Sequence, residues 1–135
     1  MKYMITAYAS QQDFDVLTGK DSGRPVASAE ELSAIGEFLA TFVAELSASG
    51  ELVDAQGLAA PVLARRVELR DGAQVVTDGP FAETEEVLAG YWVVDCSGLD
   101  RATEVAARLN ECPGPVFGRG TLVQPFLGDG DEIEH

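Results

Sequence analysis

The chain has few of the residues from which metal, disulfide and phosphate sites are built. It contains two cysteines, one histidine at the last position, and nine Lys and Arg against 23 Asp and Glu, for a net charge of −14. Cys96 and Cys112 form no CxxC pair, so a zinc site, and with it any metal or other cofactor, is not expected. The shortage of positive charge argues against nucleic acid and anionic membranes as partners.

Long apolar runs are missing as well. No segment approaches the length of a membrane span, and the first eight residues are too short and too mixed for a signal peptide. Free cysteines and no leader favour a cytoplasmic protein. With 135 residues and 46% hydrophobic content the chain can bury a core without a disulfide or a metal. We expect a single domain over residues 1–127 and an acidic, flexible tail over residues 128–135.

Hydrophobic periodicity outlines the elements. Residues 2–9 alternate as a first strand, and the polar residues 11–26 indicate an irregular loop. Ser28 with Glu31 forms a capping box that begins a long helix, and Gly50 ends it.

The second half of the chain contains strands and one more helix. Asp71-Gly72 between two strand-like runs, residues 65–70 and 73–77, is typical of a β-hairpin. Residues 87–96 form an apolar strand, a helix begins near Ser97, and residues 121–126 form a last short strand.

This order predicts an α+β, ferredoxin-like βαββαβ fold with an extra hairpin strand. Each helix carries one apolar stripe, so both should cover the same face of an antiparallel sheet. Either Tyr91 and Val93 or Trp92 and Val94 then point to the opposite face, because strand neighbours alternate. An apolar sheet face without helices implies a partner, which predicts a homodimer with two sheets packed as a dimeric barrel.

One motif carries a family resemblance. The run Thr77-Asp78-Gly79-Pro80-Phe81, continued to Asp95, resembles the DGPF signature of the YCII-related family. The opening residues 1–4 with Tyr8, the segment 46–58, and Leu99-Asp100 are also similar to that family. The resemblance implies a dimeric α+β barrel with a cleft lined by the DGPF loop.

The chain departs from the family pattern at three places. Glu85 stands where the family commonly has Lys, and Val123-Gln124-Pro125 lacks the usual Arg. Both changes weaken any role in binding an anionic ligand. Some relatives have a His–Asp pair proposed as catalytic. No histidine precedes His135, so that pair does not exist in this chain.

The candidate site residues surround the DGPF motif. Asp78 is the candidate acid or base, although the position before Gly-Pro favours the alternative role of capping a turn. The candidate binding residues are Tyr8, Arg65, Phe81, Glu83 and Tyr91.

Two functions of different classes follow. One is an enzyme that transforms a small, largely apolar molecule with Asp78 as acid or base and without a cofactor. The other is a dimer without catalytic activity that binds a small ligand or a protein partner. Family members are often encoded beside alternative sigma factors, and this association favours an accessory or regulatory role.

Overall fold

The computed structural model describes residues 1–82, 84–114 and 120–128. In these ranges the chain forms six strands, three helices and one 3₁₀ turn. In chain order they are β1 (Lys2–Ala9), α1 (Gln11–Thr18), α2 (Ala29–Ala48), β2 (Leu52–Gly57), the 3₁₀ turn (Pro61–Leu63), β3 (Arg65–Arg70), β4 (Ala73–Asp78), β5 (Val87–Asp95), α3 (Leu99–Leu109) and β6 (Leu122–Pro125).

Four strands build the main sheet, in the order β2-β5-β1-β6, and every neighbouring pair is antiparallel. Together with α2 and α3 they make the βαββαβ unit, which confirms the ferredoxin-like α+β class. Strands β3 and β4, which lie between β2 and β5 in the sequence, form a separate two-stranded sheet. Neither sheet closes into a barrel within the described part of the chain.

The core lies between the main sheet and helices α2 and α3. Its buried side chains are Tyr3, Ile5, Phe42, Leu46, Val94, Cys96, Ala102, Val105, Ala106 and Leu109. Trp92 packs against this cluster, and its ring meets Phe42 edge-on with 6.0 Å between centroids. Trp92 and Val94 therefore face the helices. By alternation Tyr91 and Val93 face the other way, which decides between the two orientations that the sequence allowed.

The predicted β-hairpin is confirmed. Asp71 and Gly72 have φ angles of 49° and 80°, as a two-residue turn between twisted antiparallel strands requires. The hairpin stands away from the main sheet, and Val67 and Leu69 are 61% and 66% exposed.

The prediction of an irregular loop over residues 11–26 is wrong in its first part, which is the helix α1. Ser10 and Asp13 form its capping box. Asp stands at the position where the usual sequence signature has Glu or Gln, so the signal is weak. Asp13 is fully buried, and its Oδ1 forms an ion pair with Arg24 Nη1 at 2.8 Å.

Two further differences concern strand β2 and the start of helix α3. Strand β2 was not predicted, because its sequence Leu-Val-Asp-Ala-Gln-Gly is half polar, as suits an edge strand. Helix α3 begins at Leu99 after Gly98 and has no side-chain cap. Of the acidic tail predicted over residues 128–135, residues 129–135 lie outside the described residues. No helix in the described ranges is long and apolar enough to cross a bilayer.

An ion pair fastens α3 to the start of β2. Arg101 donates to Glu51 from Nε at 2.9 Å and from Nη2 at 2.8 Å, and Ser49 Oγ donates to the same carboxylate at 2.8 Å. Chiefly through the hydrogen bonds from Arg101, the pKa of Glu51 falls from 4.5 to about 2. A lowered pKa means that the ionised carboxylate stabilises the folded state, fully above pH 4.5 and less as the pH falls towards 2.

We therefore expect Glu51→Gln to lower the free energy of unfolding at pH 7 by about 1–2 kcal/mol. The difference from the wild type should shrink as the pH falls from 4.5 to 2, in denaturant titrations at each pH. Glu104→Gln is the control, because Glu104 pairs with the same arginine at 3.2 Å from an exposed position. A difference that is constant down to pH 2 would contradict the ion-pair account.

At Gly79 the end of the hairpin packs directly against the backbone of the 3₁₀ turn. Its N–H donates to the Ala64 carbonyl oxygen at 2.9 Å. A Cβ atom at this position would overlap the carbonyl oxygen of Pro61, which is backbone and has no rotamer to move aside. The close approach of two backbone segments thus requires glycine.

Gly79→Ala should cost about 1–3 kcal/mol of stability, because the two segments must separate. Gly36→Ala, in the middle of α2, is the matched control. A Cβ there meets nothing within 4 Å, so this substitution should stabilise the protein by about 0.5–1 kcal/mol. Thermal unfolding of both variants checks the pair, and equal effects would show that the contact at Pro61 is not a constraint.

Candidate functional site

A groove runs between the DGPF loop (residues 78–81), the 3₁₀ turn and the start of β5. Its volume is about 490 Å³, within the range of small-molecule clefts. Within residues 1–82, 84–114 and 120–128, its lining is apolar apart from Arg65 and Arg66. The lining residues are Leu58, Ala59, Ala60, Leu63, Ala64, Arg65, Arg66, Phe81, Val87 and Leu88. We call this surface the DGPF groove.

The first charged group of the groove is an ion pair across the base of the hairpin. Arg65 and Asp78 are directly opposite in the β3–β4 ladder, and Arg65 Nε donates to Asp78 Oδ1 at 2.9 Å. The two side chains are 72% and 75% exposed, so this pair is weak and exchangeable. Of the two, Arg65 lines the groove.

The second charged group contains a stacked guanidinium. Arg66 lies over the Phe81 ring with 4.2 Å from Cζ to the centroid, and it donates to Glu85 at 2.6 Å. The ring and the carboxylate hold the guanidinium from two sides. Glu85, where the family pattern commonly has Lys, is therefore the counter-ion of Arg66 in this chain.

The structure brings together only part of the predicted site. Arg65 and Phe81 line the groove, and Asp78 joins them through Arg65. Tyr8 and Tyr91 are instead on the sheet face opposite α2 and α3. Glu83 lies outside the described residues.

The two tyrosines have polar partners on that face. Tyr91 Oη donates to Asp54 Oδ2 at 3.1 Å, and Thr6 Oγ1 donates to Tyr8 Oη at 3.3 Å. The hydrogen bond to Asp54 raises the pKa of Tyr91 above its ordinary value. The phenol thus stays protonated and suits a role as a hydrogen-bond donor more than one as a base.

The groove and the tyrosine face meet at one strand position. Tyr8 pairs with Leu88 across β1 and β5, and Leu88 lines the groove. Directly paired residues in a sheet share a face. Material that covers this face near Tyr8 would therefore lie beside the groove.

The residues 58–64 were not predicted as part of a site. The run Leu-Ala-Ala-Pro-Val-Leu-Ala lies between two strands and contains no polar residue. An apolar connection of this kind is the sequence feature that could have indicated a ligand-binding wall. It forms one wall of the groove through Leu58, Ala60 and Leu63. Gln11 holds this wall from α1, since its side-chain oxygen accepts the Val62 N–H at 2.9 Å.

Metal chemistry has no visible basis in the residues described. Among residues 1–82, 84–114 and 120–128, no three His, Cys, Asp or Glu side chains are grouped so as to hold a metal ion. The groove offers instead apolar contact area and two guanidinium groups.

Comparison with known proteins agrees with the motif. A protein of Rhizobium meliloti (strain 1021), described as uncharacterized, is 49% identical over 39 residues, which are 29% of this chain and 32% of that relative. The match thus spans about a third of the relative's length. The family model of the YCII-related domain matches residues 1–113. This chain therefore belongs to the YCII-related family.

Proposed function

We propose that the protein is a homodimer that binds a small, largely apolar molecule with an anionic group in the DGPF groove. The observation that carries the proposal is the groove itself. Its walls are apolar, and among the residues that the structure describes the charged ones in its lining are Arg65 and Arg66. Apolar walls with a few placed polar groups are the usual composition of a ligand site.

The anionic group is argued from the partners of the two arginines. Asp78 and Glu85 each pair with one of them, so each guanidinium already accommodates a carboxylate. The Arg65–Asp78 pair is exposed to solvent, so a ligand anion can replace Asp78 at little cost. Arg65 can then hold a carboxylate or sulfonate in the planar geometry that guanidinium favours.

The geometry supports binding more than acid–base catalysis by Asp78. A carboxylic acid that acts as a general acid near neutral pH commonly lies in an apolar, buried site. The Asp78 side chain is exposed and paired with Arg65. We therefore assign to Asp78 the role of the counter-ion that occupies Arg65 when no ligand is bound, and its proton-transfer role stays a prediction.

The groove can be tested with anilinonaphthalenesulfonate, a fluorescent apolar anion. Arg65→Gln should weaken its binding about two- to fivefold through loss of the cation, and Asp78→Asn should strengthen it by a similar factor because the competing carboxylate is gone. Fluorescence titration measures both affinities.

Arg70→Gln is the matched control on the same hairpin. Arg70 pairs with Glu68 at 3.2 Å and does not line the groove. It should leave the affinity unchanged. If all three substitutions have the same effect, or if the wild type shows no saturable binding, the groove is not the anion site.

The homodimer is supported by the sheet face opposite α2 and α3. Tyr8 is 40% and Leu122 49% exposed. Leu122 pairs with Thr6, so it shares the face of Tyr8 and Tyr91. Burial of these side chains against the same face of a second copy would form a two-fold, self-complementary interface. It would also place the second copy beside the groove at Leu88.

Light scattering at micromolar concentration should give about twice the chain mass of 14.3 kDa. Tyr91→Asp should dissociate the dimer, because a carboxylate would be buried beside Asp54 without a cation. Tyr91→Phe keeps the ring and should remain dimeric. A wild-type monomer, or a dimeric Tyr91→Asp variant, would contradict this interface.

A further inference from the structure

A second cavity lies on the helix side of the main sheet, between α2 and strands β1, β2 and β5. Its volume is about 320 Å³. It is lined by Ala7, Leu39, Val43, Ala55, Gln56, Gly57, Ala89, Gly90 and Trp92. We call it the α2 crevice. It shares no lining residue with the DGPF groove.

The crevice exists because the strands carry small residues at this end of the sheet. Ala7 and Gly57 both pair with Gly90, so three adjacent helix-facing positions have almost no side chain. Further along the same sheet the helix-facing positions are large, as in Ile5 and Val94. Leu39 and Val43 of α2 therefore face open space above these three strand positions, which we call the floor of the crevice.

Backbone crowding explains one of the two glycines at these positions. A Cβ on Gly90 would lie 3.2 Å from the Gln56 carbonyl oxygen, which restricts that position. On Gly57 an added Cβ meets nothing within 4 Å. The crevice opens to solvent at the edge strand β2, where Gln56 and Gly57 are exposed. The missing side chain at Gly57 therefore leaves an accessible apolar volume beneath α2.

The lining determines the chemistry of that ligand. None of the described residues that line the crevice is charged, and its walls are Leu39, Val43 and the Trp92 ring. An ion placed there would lose its hydration without gaining a partner. An apolar cavity of about 150 Å³ is already large enough to bind benzene. We propose that the α2 crevice binds an uncharged, apolar small molecule, independently of the DGPF groove.

Trp92 makes this proposal directly measurable. It is the only tryptophan of the chain, and its ring forms part of the crevice wall. Bromohexanol is an uncharged alkyl probe whose bromine quenches indole fluorescence on contact. Titration of the wild type should give saturable quenching of Trp92, whereas collision from solvent gives quenching that rises linearly with concentration.

Two variants that fill the crevice provide the decisive comparison. Ala55→Leu fills the floor opposite Trp92, since residues 55 and 92 pair across β2 and β5. Val43→Phe fills the wall from α2 if the first variant fails to fold. Either should abolish the saturable phase while the protein stays folded, as circular dichroism would show. Ala73→Leu, on the exposed hairpin, should leave it unchanged.

Three outcomes would overturn the proposal: linear quenching in the wild type, saturable quenching that persists in both filled variants, and saturable quenching that disappears as the protein concentration rises. The last would mean that a second copy covers the crevice. Arg65→Gln should not alter the quenching, so a failure of the DGPF groove and a failure of the crevice remain distinguishable.

Discussion

The alternation of side chains along β5 is the constraint on which both surfaces of the sheet depend. Trp92 and Val94 turn towards the helices and complete the core, so Tyr91 and Val93 must turn to the other face. Where β5 passes Gly90, the helix side loses its large side chains and the α2 crevice begins. Residues of β5 thus contribute to three surfaces: Val94 to the core, Gly90 to the crevice, and Tyr91 to the proposed dimer face.

The DGPF groove depends on a second constraint, the contact between two stretches of backbone. Gly79 can sit against Pro61 only because it has no side chain, and this contact fixes the hairpin to the 3₁₀ turn. Arg65 and Arg66 come shortly after that turn in the sequence, so they lie beside the same contact and line the groove. The ring of Phe81, just after the contact, then supports Arg66. In this chain the DGPF motif thus contacts both guanidinium groups, since Asp78 pairs with Arg65 and Phe81 stacks with Arg66.

Sequence reasoning found the elements that follow strong local rules. The capping box at Ser28, the Asp71-Gly72 turn and the apolar strand β5 each determine their own structure locally. Helix α1 and strand β2 were missed, because α1 is capped by an unusual Asp and β2 is a half-polar edge. The groove was predictable only in part, since Phe81 and Arg65 belong to or adjoin the motif, whereas residues 58–64 reach it through tertiary packing. Tyr8 and Tyr91 were placed correctly on strands, but their distance from Asp78 depends on the offset of the hairpin from the main sheet.

A map of backbone amide NMR shifts during titration with anilinonaphthalenesulfonate would show most directly whether the DGPF groove is the ligand site. We expect the largest changes at Ala60, Ala64 and Leu88, around the DGPF groove, and small changes along α3. The largest changes along α2 and α3, with residues 58–66 unaffected, would contradict the assignment of the groove as the ligand site.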